Sequence, residues 1–325
     1  MNSKYGLIHG FHLTGSGEGV PLDAGEISPA FRDEQLAWLH FDATNPASRQ
    51  LLEKEMGHLD QIILTALFAD GTRPRILEFE KGTLLILRGM NLSEDAEPGD
   101  MISIRLWIEK DLIISIQRRP LKVVVDLRER LVIGKGPKSS GDFISMLAGR
   151  LFERMEPVFS ELDERLDTIE ENVIEEPDTK DRQEISTIRK QAIMFRRYIA
   201  PRRDVIAHLR VSEQEWLEIV HKRRLQESLD HVMRYVEELD TIRERAQIVK
   251  DELANAISDR MNKNLYMLSI VAAIFLPLGF LTGLLGINLG GIPGAESGYA
   301  FFVFCGILVV VVSAQMLVFK KLKWL

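Results

Sequence analysis

One side chain near the C-terminal end stands out by type and setting. Asn288 is the only side-chain amide in a stretch otherwise made of Gly, Leu, Ile and Pro, within GLLGINLGGIPG. An amide oxygen accepts hydrogen bonds from the waters of a hydrated cation, and being uncharged it does not strip them away. Small divalent ions such as Mg2+ dehydrate reluctantly, so a ring of such oxygens suits capture of an ion with its water shell. Glu296, a few residues on, is the single acid of the same loop and would add attraction from outside. A glycine-rich turn with Asn in a left-handed conformation is an equally good reading of these residues.

The other candidate chemistries are weaker. The seven histidines are scattered. His9 and His12, on a strand, point to opposite faces. His208, His221 and His231 do not share a helical face, and no cluster has the spacing of a tetrahedral zinc site. Gly134-Lys135-Gly136-Pro137-Lys138-Ser139-Ser140 lacks the order of a phosphate loop, and Pro137 deletes an amide such a loop would use; a basic, solvated turn is expected. Gly15-Ser16-Gly17-Glu18-Gly19 reads as a hairpin loop, and Gly71-Thr72-Arg73-Pro74-Arg75 as a turn into an edge strand. Arg196, Arg197, Arg202 and Arg203 are expected to pair with acids on neighbouring helices. No nucleophile–base arrangement is visible, so an enzyme is not expected, nor an energy-coupling ATPase, and no cofactor is implied. One cysteine, Cys305, rules out an intrachain disulfide. A net charge of −7 argues against nucleic acid as a partner.

The elements that must position Asn288 are apolar helices. From Leu265 to Glu296 there is no charged side chain before that glutamate. LYMLSIVAAIFLPLGFLTGLL (265–285) and YAFFVFCGILVVVVSAQMLVF (299–319) each reach the ~20 residues needed to cross a ~30 Å hydrocarbon core. A short loop makes them antiparallel neighbours. Arg260 and Lys263 precede the first span; Lys320, Lys321 and Lys323 follow the second; the loop has no Lys or Arg. Both termini are therefore expected to be cytoplasmic. The N-terminal MNSKYGLIHGFHL has no signal-peptide layout, so the bulk of the chain is expected to stay where it is made. Pro277 should bend the first span, and Gly279, Gly283 and Gly286 permit close helix approach or a pore-lining face. Two spans cannot enclose a pore, so conduction would require an oligomer.

Ahead of the spans, strand-like runs at Gly6–Thr14, Leu36–Asp42, Thr83–Gly89, Met101–Ile108 and Leu112–Gln117 alternate with helical patterns at Ser48–Met56 and Leu59–Phe68, predicting an α/β domain with a mixed sheet. Apolar residues then recur every three or four positions from Phe143 to Val173, and again from Ile185 to Ile199 with a kink at Pro201. Ser212-Glu213-Gln214-Glu215 has the form of a capping box. From there a near-heptad stripe, Leu225 to Ile257, predicts one helix running from about Glu213 into the bilayer, with a soluble part on the order of 75 Å long. The stripe is expected to pack on neighbouring subunits and on the Phe143–Val173 helix. The expected organisation is a cytoplasmic α/β domain over 1–135, a helical stalk region over 136–262 and a transmembrane hairpin over 263–325.

Gly286-Ile287-Asn288, ending a Pro-containing span at the far C-terminus, resembles the Gly-x-Asn tripeptide of the CorA metal-ion transporter superfamily. The magnesium channels of that family have Gly-Met-Asn preceded by Tyr; here Leu285 and Ile287 stand instead. Those departures, the following LGGIPG, Thr72-Arg73-Pro74-Arg75 and the terminal Lys323-Trp324-Leu325 look like its ZntB branch, and the resemblance covers the whole chain. It implies an α+β membrane protein forming a homopentameric funnel in the bacterial inner membrane, with membrane lipid, divalent cations and protons as partners. The tripeptide ring would sit at the periplasmic entrance. The implied pore lining is Asn262, Leu265, Leu268, Leu276, Gly279 and Gly283 with Asn288. The family often has Thr where this chain has Gly279. For the ZntB branch the resemblance implies Zn2+ transport by proton-coupled uptake, with efflux as an older proposal.

Overall fold

The computed structural model describes residues 5–23, 25–57, 59–71, 73–91, 96, 99–175, 178, 180–286 and 297–321. The chain divides into two compact units, residues 1–175 with 180–250, and residues 176–179 with 251–325.

The first unit is built on a seven-stranded mixed sheet. Its strands are β1 (Leu7–Leu13), β2 (Gly19–Pro21), β3 (Ala37–Asp42), β4 (Arg75–Glu78), β5 (Thr83–Met90), β6 (Met101–Ile108) and β7 (Leu112–Gln117), in the order β2-β1-β3-β7-β6-β5-β4. Only β3 and β7 run parallel. All five expected strands are reproduced to within a residue at either end. The Gly15–Gly19 run forms the β1–β2 turn, with Gly15 and Gly17 at positive φ. Arg75 opens β4, an edge strand as expected.

Helices cover both faces. After the four-residue α1 (Ile27–Ala30), α2 (Pro46–Glu55) and α3 (Gln61–Phe68) pack Leu52, Leu64 and Leu67 on Leu39, Phe41, Ile114 and Ile116. Their starts are local: Asn45 accepts from the Ala47 amide at 3.0 Å and Asp60 from that of Ile62 at 2.9 Å. On the opposite face, Trp38 packs edge-on to Phe143, ring centroids 5.0 Å apart. Here α4 (Lys122–Val132) and α5 (Ser140–Glu153) approach so closely that a Cβ at Gly89 would lie 2.6 Å from Leu121 Cδ1. β7 is buried along its whole length and is apolar at Leu112, Ile113, Ile114 and Ile116 for that reason.

Two helical expectations change. The Phe143–Val173 periodicity is two helices, α5 and α6 (Glu156–Glu175). Pro157 sits in the first turn of α6, where it lacks the amide needed to continue from α5. α7 (Asp181–Val211) carries Pro201 in its interior, where a kink was expected. Ser212–Glu215 does not start a helix: Ser212 caps the end of α7, and α8 (Ile219–Gly286) begins only after Trp216 and Leu217 have been buried. The last helix among the described residues is α9 (Ala300–Lys321).

Within the first unit, Leu225, Val232, Leu239, Ile242, Ala246 and Val249 of α8 are buried inside the single chain. Phe159 of α6 meets Tyr235 edge-on at 5.3 Å, and Arg196 of α7 donates to Asp240 at 2.8 Å. The expected packing of the stripe on the 143–173 segment thus occurs, through α6. The arginine cluster behaves unevenly. Arg203 pairs with its neighbour Asp204 and Arg197 lies over Tyr198. Arg202 is fully buried, with Phe152 and Met155 around its guanidinium and no carboxylate partner among the described residues.

Candidate ion pathway on the C-terminal helices

Residues 265–286 of α8 and 300–321 of α9 belong to the second unit, and both helices are long and apolar enough to cross a membrane. Their apolar windows are unburied, with Leu276 at 72% and Val310 at 67% exposure. A core hairpin of a soluble protein would bury these side chains. A continuous apolar exterior of this size matches hydrocarbon instead.

The two helices touch along matched stripes. On α8 the partly covered residues are Ile270, Ala273, Ile274, Leu278 and Leu281; on α9 they include Phe304, Leu308, Val311 and Gln315. Both sets recur every three or four residues. Leu265, Leu268, Leu276, Gly279 and Gly283, together with Asn262 one turn earlier, are all exposed and fall on one face of α8. At ~100° per residue that face lies on the order of 180° from the one covered by α9.

Pro277 leaves the Ala273 carbonyl without an intrahelical donor. Gln315 of α9 supplies one, its Nε2 lying 3.2 Å from that oxygen. The hydroxyls of this segment are spent locally: Thr282 donates to the Leu278 carbonyl at 2.9 Å and Ser269 to that of Leu265 at 2.8 Å. The outward face of α8 therefore carries apolar side chains and bare glycine backbone, with Asn262 as its polar member. Gly286 is the last residue of α8. Ile287, Asn288 and Glu296 lie outside the described residues. Gln315 was missed in sequence, although a lone amide in an apolar span facing a proline-bearing one was the available signal.

The remaining histidines and loops are structural. His9 stacks on His40 at 5.6 Å, while His12 approaches Asp33 at 4.0 Å elsewhere. His40 is fully buried with Nδ1 2.7 Å from Ser115 Oγ, and burial, then neighbouring His9, pushes its pKa down to about 3. His208 sits 3.6 Å from Glu78 and His231 beside Arg234. Among the described residues no group of His, Cys, Asp and Glu is placed to hold a metal ion. The Gly134–Ser140 loop spends its amides internally: Gly136 donates to the Gly17 carbonyl, Lys138 to Asp142, and the Ser139 hydroxyl caps α5. Gly136 and Pro137 are buried, not solvated as expected.

Residues 33–321 match the family described as CorA-like Mg2+ transporter protein. The chain is 37% identical over 323 residues to the divalent cation transporter CmaX of Pseudomonas aeruginosa, a match spanning 98% of this chain and 97% of that one. It is 35% identical over 320 residues to the zinc transport protein ZntB of Pectobacterium atrosepticum, spanning 98% and 96%. The solved structure of the full-length CmaX protein superposes with a TM-score of 0.83 at 36% identity, over 98% of both chains. On a match that runs from the α/β unit through both apolar helices, the chain belongs to the family of CorA-like Mg2+ transporter proteins.

Proposed function

We propose that this chain is a subunit of a divalent-cation transporter and that Zn2+ is its cargo. The observation that carries the transport reading is the exposed face of α8 opposite α9, formed by Leu265, Leu268, Leu276, Gly279 and Gly283 and leading to Gly286. A face left open by its own hairpin partner is available to line a path shared between copies. Because two helices cannot surround a pore, the working unit is a homopentamer contributing one α8 per subunit. Asn262 lies at the cytoplasmic end of the lining, and Gly286, Ile287 and Asn288 form the ring at the outer entrance, with Glu296 attracting cations to it. Both termini are cytoplasmic, placing Lys320 and Lys321 at the inner surface of the bacterial inner membrane. Uptake is proton-coupled. The reading needs no cofactor and no catalytic group.

The zinc assignment is supported by the ZntB relative. A Mg2+ or Co2+ channel is the second reading, favoured by the description of the family itself. Flux into liposomes with Zn2+ and Mg2+, with and without a pH gradient, separates the two: Mg2+ flux without Zn2+ flux overturns the cargo assignment. Asn288→Ala is expected to abolish or strongly impair flux while assembly survives. Unchanged flux in that variant would remove the entrance role of Asn288, whereas a membrane-anchored scaffold predicts no cation flux even in the wild type.

A further inference from the structure

Pro277 lacks an amide hydrogen, so the Ala273 carbonyl one turn before it loses the donor that every other interior carbonyl of a helix has. In hydrocarbon no water makes up the loss, and an unmatched carbonyl there is costly. The donor present is the side chain of Gln315, which reaches across from α9 to 3.2 Å. A carbonyl can only accept, so the amide must present its NH2 group to it. That choice leaves Gln315 Oε1 buried without a partner among the described residues. The side chain is thus oriented by the need for a donor at Ala273. It is also the one side-chain amide between Ala300 and Lys321.

We propose that Gln315 is a positioning residue for the pathway helix, substituting for the amide that Pro277 removes and so tying α8 to α9 at its proline. Gly279 and Gly283 lie within two turns beyond Pro277 on the open face. Their placement relative to the rest of the lining follows the direction α8 takes after the proline. Fixing the carbonyl that faces the break fixes that direction. A polar side chain serving only as packing between the two helices would make no use of the proline. This inference rests on the transport reading for its role, though not for the bond itself.

The experiment is a double-mutant cycle on the full-length protein. Gln315→Met keeps the length of the side chain and removes the donor. Pro277→Ala restores a backbone amide to the same carbonyl. Initial Zn2+ uptake into liposomes, at equal amounts of assembled protein, is expected to fall about three- to tenfold in Gln315→Met, the scale of one interhelical hydrogen bond. In the Pro277→Ala background the same change is expected to cost less than about twofold, because the intrahelical amide now does the work. Equal losses in both backgrounds would overturn the proposal. Thermal unfolding of the four proteins in mild detergent gives the same cycle without any cation: non-additivity supports the bond, and additivity overturns it. A wild type that moves neither Zn2+ nor Mg2+ while its melting cycle is non-additive would sink the transport reading and retain the bond.

Discussion

Arg245 on α8 donates to Asp163 on α6 at 2.9 Å and reaches Asp167 and Glu170 on the same helix. Three carboxylates at i, i+4 and i+7 share one face, so a single guanidinium can span two turns. Its bonds to Asp167 and then Glu170 hold the guanidinium further above its ordinary pKa range. The pairs flank the apolar contact of Phe159 with Tyr235 and fix the register of the two helices. Arg245→Ala is expected to lower the stability of the first unit by about 1–2 kcal/mol, the scale of a partly exposed network, with a smaller loss at high salt. Asp163→Asn alone should cost less, since two carboxylates remain. Chemical denaturation followed by circular dichroism at low and high ionic strength checks both; equal losses for the two variants would count against a shared network.

His40 makes the sheet sensitive to acid. It lies fully buried between β1 and β7, and its pKa falls to about 3 from an ordinary 6.5, through burial first and then His9. The unfolded chain therefore binds a proton below about pH 6.5 that the folded chain refuses until about pH 3. The contribution is neutral above pH 6.5 and becomes destabilising as the pH falls through that window, by about 1.4 kcal/mol per unit at most. Trp38, which donates to the same Ser115 hydroxyl at 2.7 Å, is a reporter in place. His40→Phe is expected to flatten the decline in unfolding midpoint between pH 6.5 and pH 4 measured by tryptophan fluorescence. An unchanged slope would assign acid sensitivity to other groups.

What could be read from residue order depended on whether the signal was local. β6 follows from strict alternation and β7 from a short run rich in Leu and Ile, which a neighbour cannot easily override. The division of α5 from α6 was hidden because the apolar spacing continues across it, and only Pro157 betrays the break. Ser212–Glu215 carries every residue of a cap, yet burial of Trp216 and Leu217 takes precedence over a contribution of about 1 kcal/mol. At the candidate pathway, Asn262, Leu265, Leu268, Leu276, Gly279 and Gly283 were implied by the resemblance to the CorA family, and helical spacing sets them on one face. That α9 covers the opposite face depends on the pairing of two helices, which spacing within one of them does not encode. Gln315 is the clearest case: its partner is a backbone atom freed by a proline 38 positions earlier.

Arg202 tests how much a buried charge contributes. It is fully buried, and burial followed by repulsion from Arg88 lowers its pKa to about 9. Its Nε and Nη2 lack partners among the described residues, and Nη1 reaches only Met155 Sδ at 2.8 Å. A charge held this way carries its desolvation cost with little Coulombic return. Arg202→Met is expected to leave stability unchanged or raise it, whereas Arg202→Ala should destabilise by about 2–4 kcal/mol through the cavity it opens. Melting temperatures of both variants in detergent decide; a large loss in the Met variant would reveal a partner for the charge.

The two faces of α8 make a prediction that one labelling series can settle. With Cys305 replaced by Ala, the chain has no cysteine, and single cysteines can be placed along the spanning part of α8. A membrane-impermeant thiol reagent reacts with thiolate in water and poorly with thiol in lipid or in a packed seam. If the open face lines an aqueous path, cysteines at Leu265, Leu268, Leu276, Gly279 and Gly283 react, and those at Ile270, Ile274, Leu278 and Leu281 stay silent. Reactivity should then rise and fall with a period of about 3.6 residues. Zn2+ added before the reagent should slow labelling at the reactive positions. The period should hold on both sides of Pro277. Uniformly low labelling would mean the face meets lipid or another helix, and the lining would have to be sought elsewhere.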